Sequence, residues 1–362
     1  MSLNRFDQRN IWGVIALSII CFLIGGAFLI PIPYFAIGPG KVVEVGPLVT
    51  VGKEKGNEEG SFRLTTISMK QGAPVDLLLS RWTSTTELVP EEHILAEDED
   101  KRDYQRRQTV NMRLSQNQAI VAAFRHAKRP VSQKVLGVEV ERVLKEGASS
   151  LKEGDVIKRI DGEPVASIQQ LISRLSRKRA GERVALTLLR DGKELRITAS
   201  LVPLRVEPGS KPRAGLGIVP VEKVEVKTTP PTHIDAQEIG GPSAGLMFAL
   251  EVLNRLVPED LTRGYRIAGT GTITADGEVG QIGGIQHKVV AADKAGMDLF
   301  FCPKDIRPED QNEKTAKQTV KRLGIKMKVI PVSDLDEAVQ ALKKLPPRGQ
   351  ASFKSKTLTG VA

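Results

Sequence analysis

The stretch from Ile11 to Ile30 runs for twenty positions without a charged residue, and it restricts the chain's start to very few conformations. As a helix it is about 30 Å long, the thickness of a bilayer's hydrocarbon core, and a helix satisfies its own backbone polar groups without water. Trp12 and Tyr34 stand near its two ends, where amphipathic rings favour the headgroup level, and Pro31-Ile32-Pro33 closes it. Residues 11–33 are therefore expected to form a transmembrane helix, with the lipid bilayer as a partner. Arg5 and Arg9 precede the span and only Lys41 follows closely, so the positive-inside bias puts residues 1–10 in the cytoplasm. The bulk of the chain is then extracytoplasmic, held at the cell membrane by a single pass. A cleaved signal peptide with Gly25-Gly26-Ala27 as its small-residue site is the competing reading, opposed by an apolar run that continues through Phe28 and Ile30 to Pro33. Cys21 follows Ile19 and Ile20, not the small residues expected before a lipoprotein cysteine.

The remaining roughly 330 residues suffice for two or three domains with cores of their own. Of the two cysteines, Cys21 is in the span and Cys302 far away, so no intramolecular disulfide is expected. The net charge of +10 suits an anionic membrane surface or cell-wall polymer, although basic and acidic residues interleave from Lys101 to Arg107. With aromatics at 4% and no basic-aromatic platform, nucleic acid is not an expected partner. There is no H-E-x-x-H and no C-x-x-C, hence no local signature of a metal site, and no cofactor is expected. No G-x-x-x-x-G-K-[ST] occurs either, so any hydrolysis is expected to be independent of ATP unless a separate motor protein feeds it.

Chemistry concentrates in two places. Ser243 lies in Ile239-Gly240-Gly241-Pro242-Ser243-Ala244-Gly245, ahead of the apolar run Leu246 to Val257. Pro242 has a φ suited to a first helical turn and the glycines allow a tight approach, so Gly241, Pro242 and Ala244 should form the turn that places Ser243 at a helix N-terminus. Unpaired N–H groups and the positive end of the helix dipole there suit a developing oxyanion. The helix behind it is apolar on nearly all sides and should be buried. A serine still requires a base. Lys288, 45 positions on, shares a helical face with Ala291, Ala292 and Ala295, with Gly296 as a stop. A lysine on an alanine face points into packed structure, where desolvation lowers its pKa and lets it accept the Ser243 proton. Either motif alone also fits an N-cap turn or a snorkelling surface lysine. A Ser-His-Asp triad would have to recruit His233 with Asp235, or His287, and no G-x-S-x-G elbow accompanies it.

Gly241-Pro242-Ser243-Ala244-Gly245, Thr270-Gly271-Thr272-Ile273-Thr274, Gly277-Glu278-Val279 and Ile282-Gly283-Gly284 through Lys288 resemble, in order and spacing, the proteolytic domain of the Lon family. The resemblance implies Ser243 as nucleophile, Lys288 as general base and Thr270 as the threonine that hydrogen-bonds the lysine amine. It also implies an α/β fold shared with a ribosomal-protein domain, over residues 210–345. His287 stands where the ATP-dependent members usually have an acid.

A second module precedes it. Val135-Leu136-Gly137-Val138-Glu139-Val140, Gly154-Asp155-Val156-Ile157 and Ile160-Asp161-Gly162-Glu163-Pro164-Val165 resemble a bacterial PDZ domain, over residues 131–205. Val138 and Val140 alternate with acids as in a half-buried strand, and Asp161-Gly162 and Asp191-Gly192 are turn chemistry. Ser167 caps a helix with Gln170 in capping-box position and an apolar stripe of Ile168, Leu171, Ile172 and Leu175. The resemblance implies a groove that captures an extended peptide by strand addition, with Val135, Leu136, Gly137 and Val138 as the peptide-binding loop.

Between anchor and PDZ-like module, residues 34–130 read as a segment of strands and one helix, Gln116 to Ala127, with a solvated loop or helix face from Glu91 to Arg107. Its order is similar to that of the membrane-anchored Lon-like PDZ peptidases of Gram-positive bacteria. Residues 346–362, with Pro346-Pro347 and lysines, read as a disordered tail. The expected architecture is α/β and β-rich multidomain. The expected function is a membrane-anchored, ATP-independent serine endopeptidase acting on polypeptides, and a homo-oligomer is admitted without being required. The rival is a membrane-tethered PDZ adaptor or assembly platform without turnover.

Overall fold

The computed structural model describes residues 4–52, 59–80, 85–148, 150–204, 212–236 and 239–348. The chain runs through α1 (Asn4–Leu29), β1 (Tyr34–Glu44), β2 (Ser61–Gln71), α2 (Pro74–Leu79), β3 (Glu87–Pro90) and α3 (Lys101–His126). It continues with β4 (Val131–Val143), β5 (Val156–Ile160), α4 (Ile168–Leu175), β6 (Arg183–Arg190), β7 (Lys193–Ser200) and β8 (Ile218–Thr228). The last part holds α5 (Gly245–Leu256), β9 (Arg266–Gly269), α6 (Ile285–Lys294), β10 (Leu299–Pro303), α7 (Asn312–Leu323), β11 (Lys328–Val332) and α8 (Leu335–Lys343).

Two sheets organise these elements. The first has the order β11-β10-β9-β2-β1-β3, parallel from β11 to β2 and antiparallel from β2 to β3. Its two faces alternate along each strand as the pleat demands: Ile267 and Phe301 join the core with α3 and α5, whereas Ala268, Phe300 and Cys302 pack with α6 and α7. Helix α5 is buried at every position except Arg255, as its uniform apolarity requires, and Arg255 pairs at 2.7 Å with the buried Glu251. The second sheet has the antiparallel order β8-β4-β5-β6-β7 around a core of its own. Its tight turns are those expected, with φ of 50° and 85° at Asp161 and Gly162 and of 49° and 78° at Asp191 and Gly192.

Three boundaries differ from the sequence reading. Residues 34–130 are not a unit apart, because β1, β2 and β3 lie in the same sheet as β9, β10 and β11. Strand β8, assigned by sequence to the C-terminal region, pairs with β4 from Ile218↔Val143 to Thr228↔Val131. Helix α3 starts at Lys101, well ahead of the expected Gln116, capped by Asp100 accepting from the N–H groups of Arg102 and Asp103, so from Lys101 to Arg107 the solvated block is a helix face. The first two rest on non-local strand pairing that local periodicity does not encode, whereas the Asp100 cap is a local signal. Helix α1 likewise begins ahead of the expected span and ends at Leu29. Of the supposed tail, residues 349–362 lie outside the described residues, while Pro346 O accepts from the Tyr265 hydroxyl and Arg348 N–H donates to Arg263 O.

Candidate active site

Gly241, with φ of 87°, turns the chain into a single 3₁₀ turn, Pro242–Ala244, that runs into α5. Ser243 therefore sits one step ahead of the α-helix and not within its first turn. Four contacts from two distant segments clamp this turn. Gly241 N–H donates to Gln108 O at 2.9 Å and the Ser115 hydroxyl to Pro242 O at 2.9 Å, both from α3. From the loop after β9, Gly271 N–H and the Thr270 hydroxyl both donate to Ser243 O, at 2.8 and 2.9 Å. Gly245 permits the fit, since a Cβ there would stand 2.8 Å from Ser115 Oγ and 2.9 Å from Ile273 N.

Lys288 enters from α6, which begins at Gly284 in the left-handed region. Its Nζ lies 2.8 Å from Ser243 Oγ, 3.1 Å from Thr270 Oγ1 and 3.1 Å from Thr65 O. Proton counting makes this set informative. Thr65 O only accepts, and the Thr270 hydroxyl has already donated its proton to Ser243 O, so both take an N–H from the lysine. A neutral amine meets this set with its two N–H groups on these acceptors and its lone pair on the Ser243 hydroxyl, whereas a charged ammonium meets it by donating to all three oxygens. Burial lowers the Lys288 pKa to about 7, so the neutral form is accessible at ordinary pH. The alanine face is only partly as expected: Ala291 and Ala292 are buried with Lys288, but Ala295 is exposed.

Gly241, Pro242 and Ala244 form the turn, but Pro242 has no N–H and that of Gly241 is taken by Gln108 O, so neither offers a donor to an oxyanion. The 3₁₀ pattern directs Ala244 N–H back to the Gly241 carbonyl. Ser243 N–H is left as the group at the turn with no acceptor within it. The dyad faces a cavity of about 630 Å³ with walls from Val43, Leu64, Ile67, Met69, Met112, Ile239 and Ile282, and with Tyr104 and Gln108 reaching in from α3. His287 is buried, but its Nε2 lies 3.3 Å from Glu87 Oε2, and His233 with Asp235 is exposed outside the cavity lining. Among the described residues neither histidine hydrogen-bonds Ser243.

The peptide-binding loop is corrected. Val135, Leu136, Gly137 and Val138 lie inside β4, with β8 on one side and, at Val138, β5 on the other. Gly137 is required by packing, because a Cβ there would stand 2.5 Å from Ile157 O. Glu139, expected to face solvent, is buried and held by Arg113 and Lys223 at 2.7 and 3.1 Å. Helix α4 instead borders β8, where Glu222 Oε1 accepts from Ile168 N–H at 3.2 Å. Leu171 and Leu175 are buried, but Ile172 is 51% exposed. Sequence reasoning missed Thr65, Gln108 and Ser115. For the first two no side-chain signal exists, since they act through backbone carbonyls, whereas Ser115 was detectable as a polar residue in the apolar stripe of Met112, Ala119, Ala122 and Ala123.

Comparison with known proteins agrees with this division. Residues 110–201 match the PDZ domain family and residues 226–344 match the Lon protease (S16) C-terminal proteolytic domain. The Lon protease of Trichlorobacter lovleyi is 35% identical over 125 residues, covering 33% of this chain and 14% of that protein. The archaeal Lon protease of Halobacterium salinarum is 30% identical over 141 residues, covering 36% of this chain and 18% of that protein. The chain thus spans less than a fifth of the length of these relatives. The crystal structure of the PDZ domain of an SdrC-like protein from Listeria monocytogenes aligns at 27% identity over 24% of this chain and 87% of that one, with a TM-score of 0.21. The chain carries a PDZ domain followed by a proteolytic domain of the serine-peptidase class. That second domain is of the Lon type.

Proposed function

We propose that this protein is a membrane-anchored serine endopeptidase in which Ser243 attacks a peptide carbonyl, neutral Lys288 accepts the hydroxyl proton, and Ser243 N–H stabilises the oxyanion. The observation that carries the reading is the 2.8 Å approach of Lys288 Nζ to Ser243 Oγ at a buried position, where desolvation brings the lysine pKa to about 7. Thr270 positions that amine and also holds the nucleophile's own carbonyl. After acylation Lys288 returns the proton to the leaving amine and then takes one from the water that hydrolyses the ester. Within these 362 residues no nucleotide-binding loop accompanies the site, and hydrolysis is read as independent of ATP. Helix α1, with a mean hydropathy of 2.4 over Trp12–Leu29 and none of that window buried, supports the anchor, and the Arg5 and Arg9 bias supports an extracytoplasmic active site. Capture of extended polypeptide is assigned to the free edge of β8 beside α4, with Ile172 offering an apolar contact. An adaptor without turnover gives no reason to bury a lysine against a serine at such cost. The test is labelling by a serine-directed acylating probe: an adduct on Ser243 that disappears in Lys288→Ala is expected, and an unlabelled, folded wild type sinks the reading.

A further inference from the structure

Next to the exit of α1 lies a surface that the protease reading does not use. Helix α2 exposes Leu77, Leu78 and Leu79 by 45, 68 and 44%, and at 100° per residue three consecutive leucines cover more than half of its circumference. Its one acid is turned inward: Asp76 accepts from Ala73 N–H at 2.9 Å, pairs with Lys70 at 2.9 Å and is buried. The end of α1 is equally bare, with Phe28, Leu29 and Ile30 exposed by 61, 81 and 58%. Backbone bonds fasten the two together. Ile32 N–H donates to Gly72 O at 3.0 Å and Gly72 N–H to Tyr34 O at 2.7 Å, while the Gln71 amide donates to Ile32 O.

From these contacts we infer that α2 is a second membrane contact, its leucines entering the interfacial layer of the leaflet that α1 leaves. The inference rests on the reading of α1 as a membrane span. Ile32 lies three positions beyond Leu29, a reach of at most about 10 Å, and the headgroup layer is roughly 5–8 Å deep on each side of the hydrocarbon. A helix tied to Ile32 therefore meets that layer. Lys70 and Lys101, whose side chains are 64 and 58% exposed, stand at the same end, Lys101 bonded to Gln71, and suit anionic headgroups. Exposed leucines that are a liability in water are satisfied in lipid. With α1 and α2 both engaged, β1 and β2 have a fixed attitude to the bilayer, and these strands carry Lys41 and Thr65 to the active-site cavity.

The full chain, reconstituted in vesicles of phosphatidylcholine and phosphatidylglycerol, tests this with an environment-sensitive fluorophore at Leu78→Cys in a Cys21→Ser background. Native Cys21, labelled in otherwise unchanged protein, reports the span, and Lys193→Cys at the β6–β7 hairpin reports water. The Leu78 probe is expected to be quenched by lipids spin-labelled near the headgroup and to be at least threefold less accessible to iodide than the Lys193 probe. If Cys21 is quenched by deep spin labels while Leu78 behaves like Lys193, the inference fails and the span stands. Shielding of Leu78 from iodide without lipid quenching, increasing with protein density, makes the occupant a second copy and also overturns it. If Cys21 too escapes deep quenching, the span reading falls and takes the inference with it.

Discussion

Burial places Lys288 at about 7, against 10.5 for an ordinary lysine, and the same fact has a kinetic and a thermodynamic side. Kinetically, kcat/KM for a small peptide is expected to rise about tenfold per unit below pH 7 and to hold into the alkaline range. That profile persists in His287→Gln and His233→Ala, and a rise lost in either variant would return the base to a histidine. Thermodynamically, the unfolded chain keeps the lysine proton up to about 10.5 and the folded protein only to about 7. Between these values unfolding takes up a proton, so raising the pH through this window stabilises the fold, whereas below about 7 that gain is absent. The full difference is about 5 kcal/mol. Lys288→Met, which has no charge to bury, should therefore be inactive yet more stable than wild type at pH 6, with the advantage shrinking by pH 10. Denaturant titrations at the two pH values measure this directly. Ser243→Ala and Lys288→Ala should each lower kcat by at least about a thousandfold, and the double variant no further, because the two act as a unit.

At the scale of elements, α3 holds the Ser243 turn, the proposed function gives substrate capture to α4 with β8, and the two roles are expected to separate kinetically. Ser115→Ala removes one buried hydrogen bond to Pro242 O. About a tenfold fall in kcat with KM nearly unchanged is expected, since the turn loosens while the cavity wall stays. Ile172→Glu should do the reverse, raising KM several-fold for a long polypeptide and leaving a short reporter peptide unaffected. Gly137→Val is expected to act on the fold instead of on capture, lowering the melting temperature because its side chain meets Ile157 O. These assignments mark what sequence could and could not supply. Ser243 and Lys288 were legible because a Gly-Pro turn and a helical stripe are local patterns, and the PDZ hairpins because Asp-Gly turns are. The true neighbours of α4 were not, since a strand with an alternating pattern looks the same at a sheet edge and at its centre. Only the pairing of β4 with β8, some eighty positions apart, shows that Val135 to Val138 lie inside the sheet and that Ile218–Thr228 is one of its two edge strands.

For the whole molecule, the PDZ unit is not a detachable adaptor in front of a self-sufficient protease. β8 has β4 as its partner along its entire length, Glu139 of β4 is held by Arg113 of α3 through two hydrogen bonds of 3.2 and 2.7 Å, and Arg142 reaches Asp103 at 3.9 Å. The same α3 clamps the Ser243 turn through Gln108 O and Ser115. Excision of residues 133–205 with a flexible linker would therefore strip β8 of its ladder and leave the Arg113 side of α3 without the carboxylate it packs against. Arg113, whose side chain is 35% exposed, loses a charge-assisted contact, and β8 loses the strand pairing it has along its whole length. The excised protein, assayed in detergent beside the full chain, should show a lower melting temperature and at least a tenfold loss of hydrolysis even on the short reporter peptide. Ile172→Glu, which touches only the groove, should keep both. Wild-type turnover of the reporter by a thermally unchanged excised protein would mean that the protease holds its active site unaided, and the coupling through α3 would have to be given up.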